Sequence, residues 1–307
     1  MANDLLTVAD FISDALDVDP TETTEVLNQS PTVNRVPIGD TSDGSETHKY
    51  NKYTGAPVVG FRAANAGRDY DHSVDTVVTV TCKILDFSWR VDYAEANAWR
   101  RGPEDLIRRE GMRHLQAALF KLEQQLFYGT GSLGDSDGFS GIAQSTYVDA
   151  TGDDMVVGAG GSTANSQTSA YFLRTGFDDV RFVTPMGRGP SLGETIVTEA
   201  NDSNHPVYYT PASMYVGVQL GGKYSIGRVA NIESAFDDDD IADVLSAFPA
   251  GMGPSFGVMN RTALKLLRQS RTATNTTGVP APFPSDAYNV PLMTTDGIVN
   301  TEAVVGA

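Results

Sequence analysis

The chain has a single cysteine, Cys82, among its 307 residues. No disulfide can close within it, so the sequence reads as made for a reducing compartment. With four histidines besides, it also lacks the ligands for a Cys and His metal cluster. Positive charge is scarce: 22 Lys and Arg stand against 39 Asp and Glu, a formal net charge of −17. A free nucleic-acid binder rests its affinity on cations that neutralise phosphates, and this balance argues against that class. It leaves room for a surface where the few basic residues are gathered. No apolar run approaches the roughly twenty residues that cross a bilayer. The start, Met1-Ala-Asn-Asp-Leu-Leu6, lacks the basic-then-apolar order of a signal peptide. The expectation is a cytosolic product with no membrane partner. Hydrophobic residues at 40% and charged ones at 20% describe a folded chain with a substantial core and room for about two domains.

The clearest element is a helix over Pro103–Phe127. Met112, Leu115, Leu119, Leu122 and Leu126 recur at steps of three and four, which puts them on one face. Arg109, Arg113, Gln116, Glu123 and Gln124 fill the other. Pro103 suits the first helical position, and Glu104 and Asp105 sit where the helix dipole favours negative charge. Gly129 is placed to end the helix as a left-handed cap. Twenty-five residues at 1.5 Å each make a rod of about 37 Å, long for a globular domain.

Around it the chain reads as follows. A short amphipathic helix carries Leu5, Val8, Phe11, Ile12 and Ala15, and another turn or two spans Thr21 to Leu27. Thr41 to Glu46 is polar with nothing to pack; an arm lying on another surface and a disordered tail both fit residues 1–47. Tyr50 to Val80 gives extended signals broken by Gly55, Pro57, Gly60 and Gly67, a long and loosely specified hairpin. Then Leu85, Phe87, Trp89, Val91 and Tyr93 alternate with Asp86, Ser88, Arg90 and Asp92, which predicts one half-buried strand. After the helix and a glycine-rich loop, Gly129–Gly141, the chain is strand and turn to about residue 258. Ala170 to Arg174 and Val180 to Thr184 flank a turn. Met214, Val216, Val218 and Leu220 run to Gly221-Gly222, and Tyr224, Ile226 and Arg228 return, which predicts a two-residue hairpin. A helix follows with Asn260 as its cap, Leu264 and Leu267 inward, and Arg268 and Arg271 at its negative end. A polar loop over 272–289 leads to a final extended segment from Val290 to Val305.

Apparent chemical motifs fail on context. Gly129-Thr-Gly131-Ser-Leu-Gly134 fits the dinucleotide fingerprint in letters, but it leaves a helix instead of opening one. Gly134-Asp-Ser136-Asp-Gly138 fits the nucleophile elbow without the strand-to-helix turn that elbow needs. Gly158 to Thr163 lacks the lysine of a phosphate loop and reads as a flexible turn. Asp237 to Asp240 lacks the glycine and distal glutamate of a calcium loop and reads as a solvated acidic loop. No catalytic, metal or cofactor constellation emerges.

One cluster asks for a partner. Arg100, Arg101, Arg108, Arg109 and Arg113, five of the chain's 22 basic residues, crowd a helix beginning that disfavours positive charge. Intrachain pairing with Glu104, Asp105 and Glu110 would satisfy them. So would an acidic neighbouring subunit, or nucleic-acid phosphate inside a shell.

The order of elements, with a run of local words, is similar to that of tailed-bacteriophage major capsid proteins. Phe61-Arg62-Ala-Ala-Asn65-Ala-Gly67 resembles that family's aromatic-Arg-x-x-Asn-x-Gly. Val91-Asp92 precedes the long helix, Leu126-Phe-Tyr128-Gly129 ends it, and Gly138-Phe139-Ser-Gly141-Ile142 follows. Tyr171-Phe-Leu-Arg174, Asp179 to Pro185, Gly227-Arg228-Val-Ala-Asn231-Ile232, Asn260-Arg261-Thr262 and Asp296 to Glu302 complete the series.

The resemblance implies an α+β, Hong Kong 97-type capsid fold. It places an N-terminal arm at 1–47, an extended loop at 48–80, and a peripheral domain at 81–150 with the spine helix at 103–127. A mainly axial domain follows at 151–282, and a segment returning to the peripheral domain at 283–307. It implies a shell protein without enzymatic activity, which assembles in the host cytoplasm and resides in the virion. Implied partners are copies of itself in hexamers and pentamers, scaffolding and portal proteins, a decoration protein, and packaged double-stranded DNA bound without sequence preference. In this reading Phe61, Arg62, Asn65 and Gly67 meet a neighbouring subunit. The family prototype's Lys–Asn cross-link finds no matching asparagine or acid here, although Lys49 and Lys52 lie near the loop. An encapsulin-like nanocompartment shell is the alternative. A hydrolase or dinucleotide enzyme using Gly129–Gly141 stands further off.

Overall fold

A computed structural model describes residues 30–55, 57–69, 71–186, 189–199, 205–273 and 279–306. The helix expected around Leu5 to Ala15 and the turns at Thr21 to Leu27 lie outside the described residues, as does part of the 272–289 loop. Four helices are described: α1 (Tyr93–Ala98), α2 (Pro103–Tyr128), α3 (Asp238–Ser246) and α4 (Arg261–Ala273).

The predicted rod is α2, 26 residues with proline in its first turn beside Glu104 and Asp105. Its apolar seam is inside: Leu115, Leu119, Leu122 and Leu126 are buried, with Met112 half-buried. At Gly111 the helix backbone approaches the Trp89 indole so closely that a Cβ would stand 2.7 Å from the ring. Gly129 ends the helix at φ +56° and ψ −134°. Its φ is positive as expected, but its ψ lies outside the left-handed helical region. A Cβ there would meet Gly141 N at 2.0 Å. One expectation fails on this helix: Glu123, assigned to the outer face, is fully buried. The outer face of the last turns is covered by residues 30–36, and Thr32 N–H donates to Glu123 Oε1 at 3.0 Å.

Two larger sheets flank α2. One runs Ile38–Asp40, Val180–Thr184, Ala212–Leu220, Lys83–Asp86, with Ser191–Leu192 joined to Ala212–Leu220. The other runs Asp286–Ala287, Val290–Thr294, Phe256–Met259, Thr168–Leu173, Ile226–Ile232, Val156–Gly158. Thr168–Leu173 and Ile226–Ile232 are buried along their whole length because both faces are covered. Tyr171 and Arg228, partners across the ladder, face the end of α2, where Phe127 and Tyr171 stack with centroids 5.3 Å apart. Gly227 faces the other way, towards Val244 of α3 and Phe248. Neither sheet is confined to one of the ranges expected for the peripheral and axial domains. Val290–Thr294 pairs with Phe256–Met259, and beyond it Val299 N–H donates to Tyr128 OH at the end of α2 at 2.9 Å.

The strict alternation from Leu85 to Tyr93 is two strands. Lys83–Asp86 pairs with Ala212–Leu220, and Trp89–Asp92 pairs with Pro206–Thr210 in a separate three-stranded sheet. The break has a local cause: Asp86 Oδ1 accepts both the N–H and the hydroxyl of Ser88, at 2.9 and 2.6 Å, and redirects the chain. Tyr93 leaves the pattern because Asp92 accepts from Ala94 and Glu95 N–H and so caps α1.

Gly221-Gly222 makes a corner between sheets, not a hairpin. Gly221, at φ +65°, packs where a Cβ would lie 2.9 Å from Asp179 Cα. After one 3₁₀ turn, Ile226–Ile232 joins the other sheet. Asp237 to Asp240 is the beginning of α3, with Asp237 capping Asp239 and Asp240 N–H, and not a solvated loop. The Gly158 to Thr163 turn is pinned: Glu233 accepts from Ser162 N–H, Thr163 N–H and the Thr163 hydroxyl. Residues 30–46 are likewise part of this subunit's own body, with Val33 and Val36 fully buried and Ile38–Asp40 paired parallel to Val180–Thr184. At α4 the expectation holds: Asn260 Oδ1 caps Ala263 N–H at 2.8 Å, Leu267 is buried, and Arg271 pairs with Asp238 at 2.6 Å.

Candidate functional site

The feature that this fold leaves unfinished is the hairpin. Thr47–Gly55 pairs with Val74–Thr81 from Thr47↔Thr81 out to Gly55↔Val74, close to the predicted limits. Its root is anchored. His48 is 2% exposed; its Nδ1 accepts from Ser42 N–H at 3.0 Å and its Nε2 donates to Gln219 Oε1 at 2.8 Å. Burial lowers the imidazole pKa, in keeping with this neutral bonding pattern. Further out, Lys52 Nζ lies 3.7 Å from the centroid of the Tyr147 ring. None of these anchors carries a sequence signature.

The tip is folded but uncovered. Arg68 donates to Gly60 O and Val58 O, both at 2.6 Å, and Ala66 N–H closes a turn on Ala63 O at 3.2 Å. Asn65 holds φ +62° in that turn, a pose asparagine tolerates better than most residues. Arg62 donates to Ala66 O at 3.4 Å. Space around Gly67 is open, and the fold gives no reason for a glycine there. Phe61 stands fully in solvent, with Val58, Val59, Val74 and Val77 also exposed. A two-stranded ribbon with apolar residues on show is marginal alone.

The five arginines are all exposed, but they do not stand as one free patch. Arg113 pairs with Glu110, Arg109 lies 5.9 Å from the centroid of the Trp99 ring, and Trp99 Nε1 donates to Asp105 at 3.0 Å. Arg100 and Arg101 occupy the turn between α1 and α2. Part of the expected intrachain pairing is therefore present.

A polar cluster that sequence reasoning did not assemble lies behind α2. Arg228 Nη2 donates to Glu302 Oε2 at 3.1 Å and Arg228 Nη1 to Val148 O at 3.0 Å. Ser169 Oγ donates to Glu302 Oε2 at 2.6 Å, and Tyr128 OH to Glu302 Oε1 at 2.7 Å. The cluster ties the end of the long helix, both central strands and the C-terminal segment together. Arg228, Tyr128 and Glu302 each fall within one of the family-like words, the only sequence trace of it.

The glycine-rich loop does not present its amides to a ligand. Thr130 N–H donates to Gln144 Oε1 at 3.0 Å, Asp135 N–H to Gly129 O at 3.0 Å, and Gly134 N–H to Gly131 O at 3.0 Å. That geometry overturns the dinucleotide reading. Among the described residues, no group of three or more His, Cys, Asp or Glu is placed to hold a metal ion, and no helix is long and apolar enough to cross a membrane.

Comparison with known proteins bears on the same question. The family model described as major capsid protein GP7 matches residues 17–306. Among solved structures, that of bacteriophage Epsilon15 is similar at a TM-score of 0.60 and 21% identity, covering 88% of each chain. The bacteriophage JBD30 capsid is similar at a TM-score of 0.50 and 10% identity, covering 88% of this chain and 90% of that one. Curated proteins give no match. At such identities the structures speak for the fold, which is α+β and of the Hong Kong 97 capsid type. The family match speaks for a capsid protein over the nanocompartment alternative. Matched by that family from residue 17 to residue 306 and folded as phage capsid subunits fold, the chain belongs to the major capsid protein GP7 family.

Proposed function

We propose that this capsid subunit closes an icosahedral tailed-phage head of hexamers and pentamers through its Thr47–Thr81 hairpin, laid on a neighbouring copy. The observation that carries this reading is Phe61, fully exposed at the end of a tip that Arg68 holds in one shape. A large apolar side chain kept in solvent by dedicated hydrogen bonds is costly for a lone monomer and useful at a contact between copies. Phe61, Arg62, Asn65 and Gly67 are the residues assigned to that contact. The shell encloses double-stranded DNA without reading its sequence. Scaffolding and portal proteins, and a decoration protein, complete the assembly in the host cytoplasm. The role is structural.

Replacing residues 57–69 by a short turn tests this. Sedimentation velocity should then show a folded subunit, with unchanged circular dichroism, that no longer forms large particles. Normal particles from the shortened chain would overturn the hairpin's role.

A further inference from the structure

We infer that the root of the hairpin is an acid-released joint: a proton on His48 frees the Thr47–Thr81 stem from the passages that link the two larger sheets. The device belongs to the single subunit and stands apart from any contact the tip makes.

The chain passes between those sheets at residues 174–179 and again at 221–225. Asp179 ties the two passages together, its Oδ1 accepting from Arg174 Nη2 at 2.6 Å and from Ser225 Oγ at 2.7 Å. Gln219 Nε2 donates to Phe177 O at 3.0 Å and to Asp179 O at 3.3 Å, which turns its Oε1 towards the hairpin. That oxygen accepts from His48 Nε2 at 2.8 Å and from Arg181 Nε at 3.1 Å. On the far side of the ring Nδ1 accepts from Ser42 N–H, and Ser42 Oγ accepts from Lys49 N–H at 3.0 Å. One neutral imidazole thus joins the 41–46 turn, the stem and the passages between the sheets.

A second proton on this ring finds no acceptor. It would stand on Nδ1 against the Ser42 N–H, donor facing donor. The new cation would also share the Gln219 oxygen with the Arg181 guanidinium, and both groups are buried. Burial and Arg181 hold the imidazole below its usual range, against the Gln219 bond and the Asp43 carboxylate. Asp43 keeps its charge in mild acid because Ser45 donates to it and lowers its pKa, and Tyr50, stacked on the ring at 5.7 Å, stays neutral. The closed root is therefore at full strength above the ordinary histidine value of 6.5 and weakens as pH falls below it.

Cys82, the chain's one thiol, reports the opening. Its N–H donates to Glu46 O at 2.7 Å beside the Thr47↔Thr81 pair, and its Sγ, buried, packs with Val80 of the stem over Gly217. A pyridyl disulfide labels thiols in acid as well as at neutral pH, and the urea-unfolded chain supplies the reference rate. Relative to that reference, labelling should rise about tenfold for each pH unit below 6.5 until the folded His48 itself titrates, with Trp89 emission unchanged. His48→Gln keeps a neutral donor and acceptor and should label slowly throughout. Equal acid labelling of the variant and wild type would overturn the inference, as would a rise that comes only with loss of the Trp89 signal.

The wild-type chain alone gives a second reading. Imidazole nitrogen NMR should show His48 protonated on Nε2 near neutrality and gaining its second proton below 6.5, where the rise in labelling levels off. A ring that titrates at 6.5 or above, or that takes up its proton while Cys82 stays protected, would also overturn the inference.

Discussion

Arg228 and Glu302 meet at 3.1 Å across seventy-four positions of sequence, each at most 4% exposed, and close the C-terminal segment against the end of α2. A charge pair so deeply buried holds only while complete. Ser169, Tyr128 and the Val148 carbonyl satisfy what the two ions leave open. Removing one partner strands the other, at a cost of about 3–5 kcal/mol. Arg228→Met should therefore lower subunit stability by that order in urea unfolding. Arg228→Met combined with Glu302→Leu should recover much of the loss, since a well-packed apolar pair substitutes for buried ions. Equal loss in the single and double variants would show that packing, not the stranded charge, sets the cost.

Glu123 titrates in the opposite sense to a surface carboxylate. Burial raises its pKa above the ordinary 4.5, against the hydrogen bonds from Thr32 and with Asp296 adding to the rise. The folded chain thus holds this proton more tightly than the unfolded chain does. The stability this confers is complete below the ordinary value and is lost as pH rises through the raised one. Glu123→Gln keeps an acceptor for Thr32 N–H and has no proton to lose. Relative to it, wild type should weaken as pH climbs from about 4.5 towards neutrality, read from urea midpoints at several pH values. Parallel pH curves for the two chains would contradict this.

For the arginine cluster, a subunit boundary is the proposed location. A net charge of −17 argues against close contact with phosphate, and Arg109 and Arg113 are already engaged locally with Trp99 and Glu110. Arg108→Gln with Arg109→Gln should reduce the yield of empty particles before any DNA enters, measured by sedimentation. Normal empty shells that leak packaged DNA as salt is raised would assign these residues to the lumen instead.

What was legible in the sequence is what repeats locally. The period of α2, its proline start and the Asn260 cap depend on neighbours within a few residues, and all are present; the hairpin, whose strands are adjacent in the chain, is present too. What failed depends on distant parts of the chain. Leu85 to Tyr93 alternates without a fault, yet Ser88 folds back on Asp86 and sends its two halves to different sheets. Gly221-Gly222 looks like a hairpin turn because the sequence does not show that Asp179 packs against it. Glu123 reads as a surface residue until residues 30–36 are laid over the helix. For the candidate site, the hairpin was readable from its extended signals between glycines, and Phe61 from the family-like word that contains it. Its anchors were not, since His48 meets Gln219 and Lys52 meets Tyr147 only in three dimensions.

Electron micrographs of the purified wild-type chain test the central claim most directly. A subunit whose hairpin completes its neighbour should give closed, uniform, angular shells once expressed with its assembly partners, at one diameter or a small set of diameters. A chain that stays a soluble monomer at high concentration under those conditions would contradict the account.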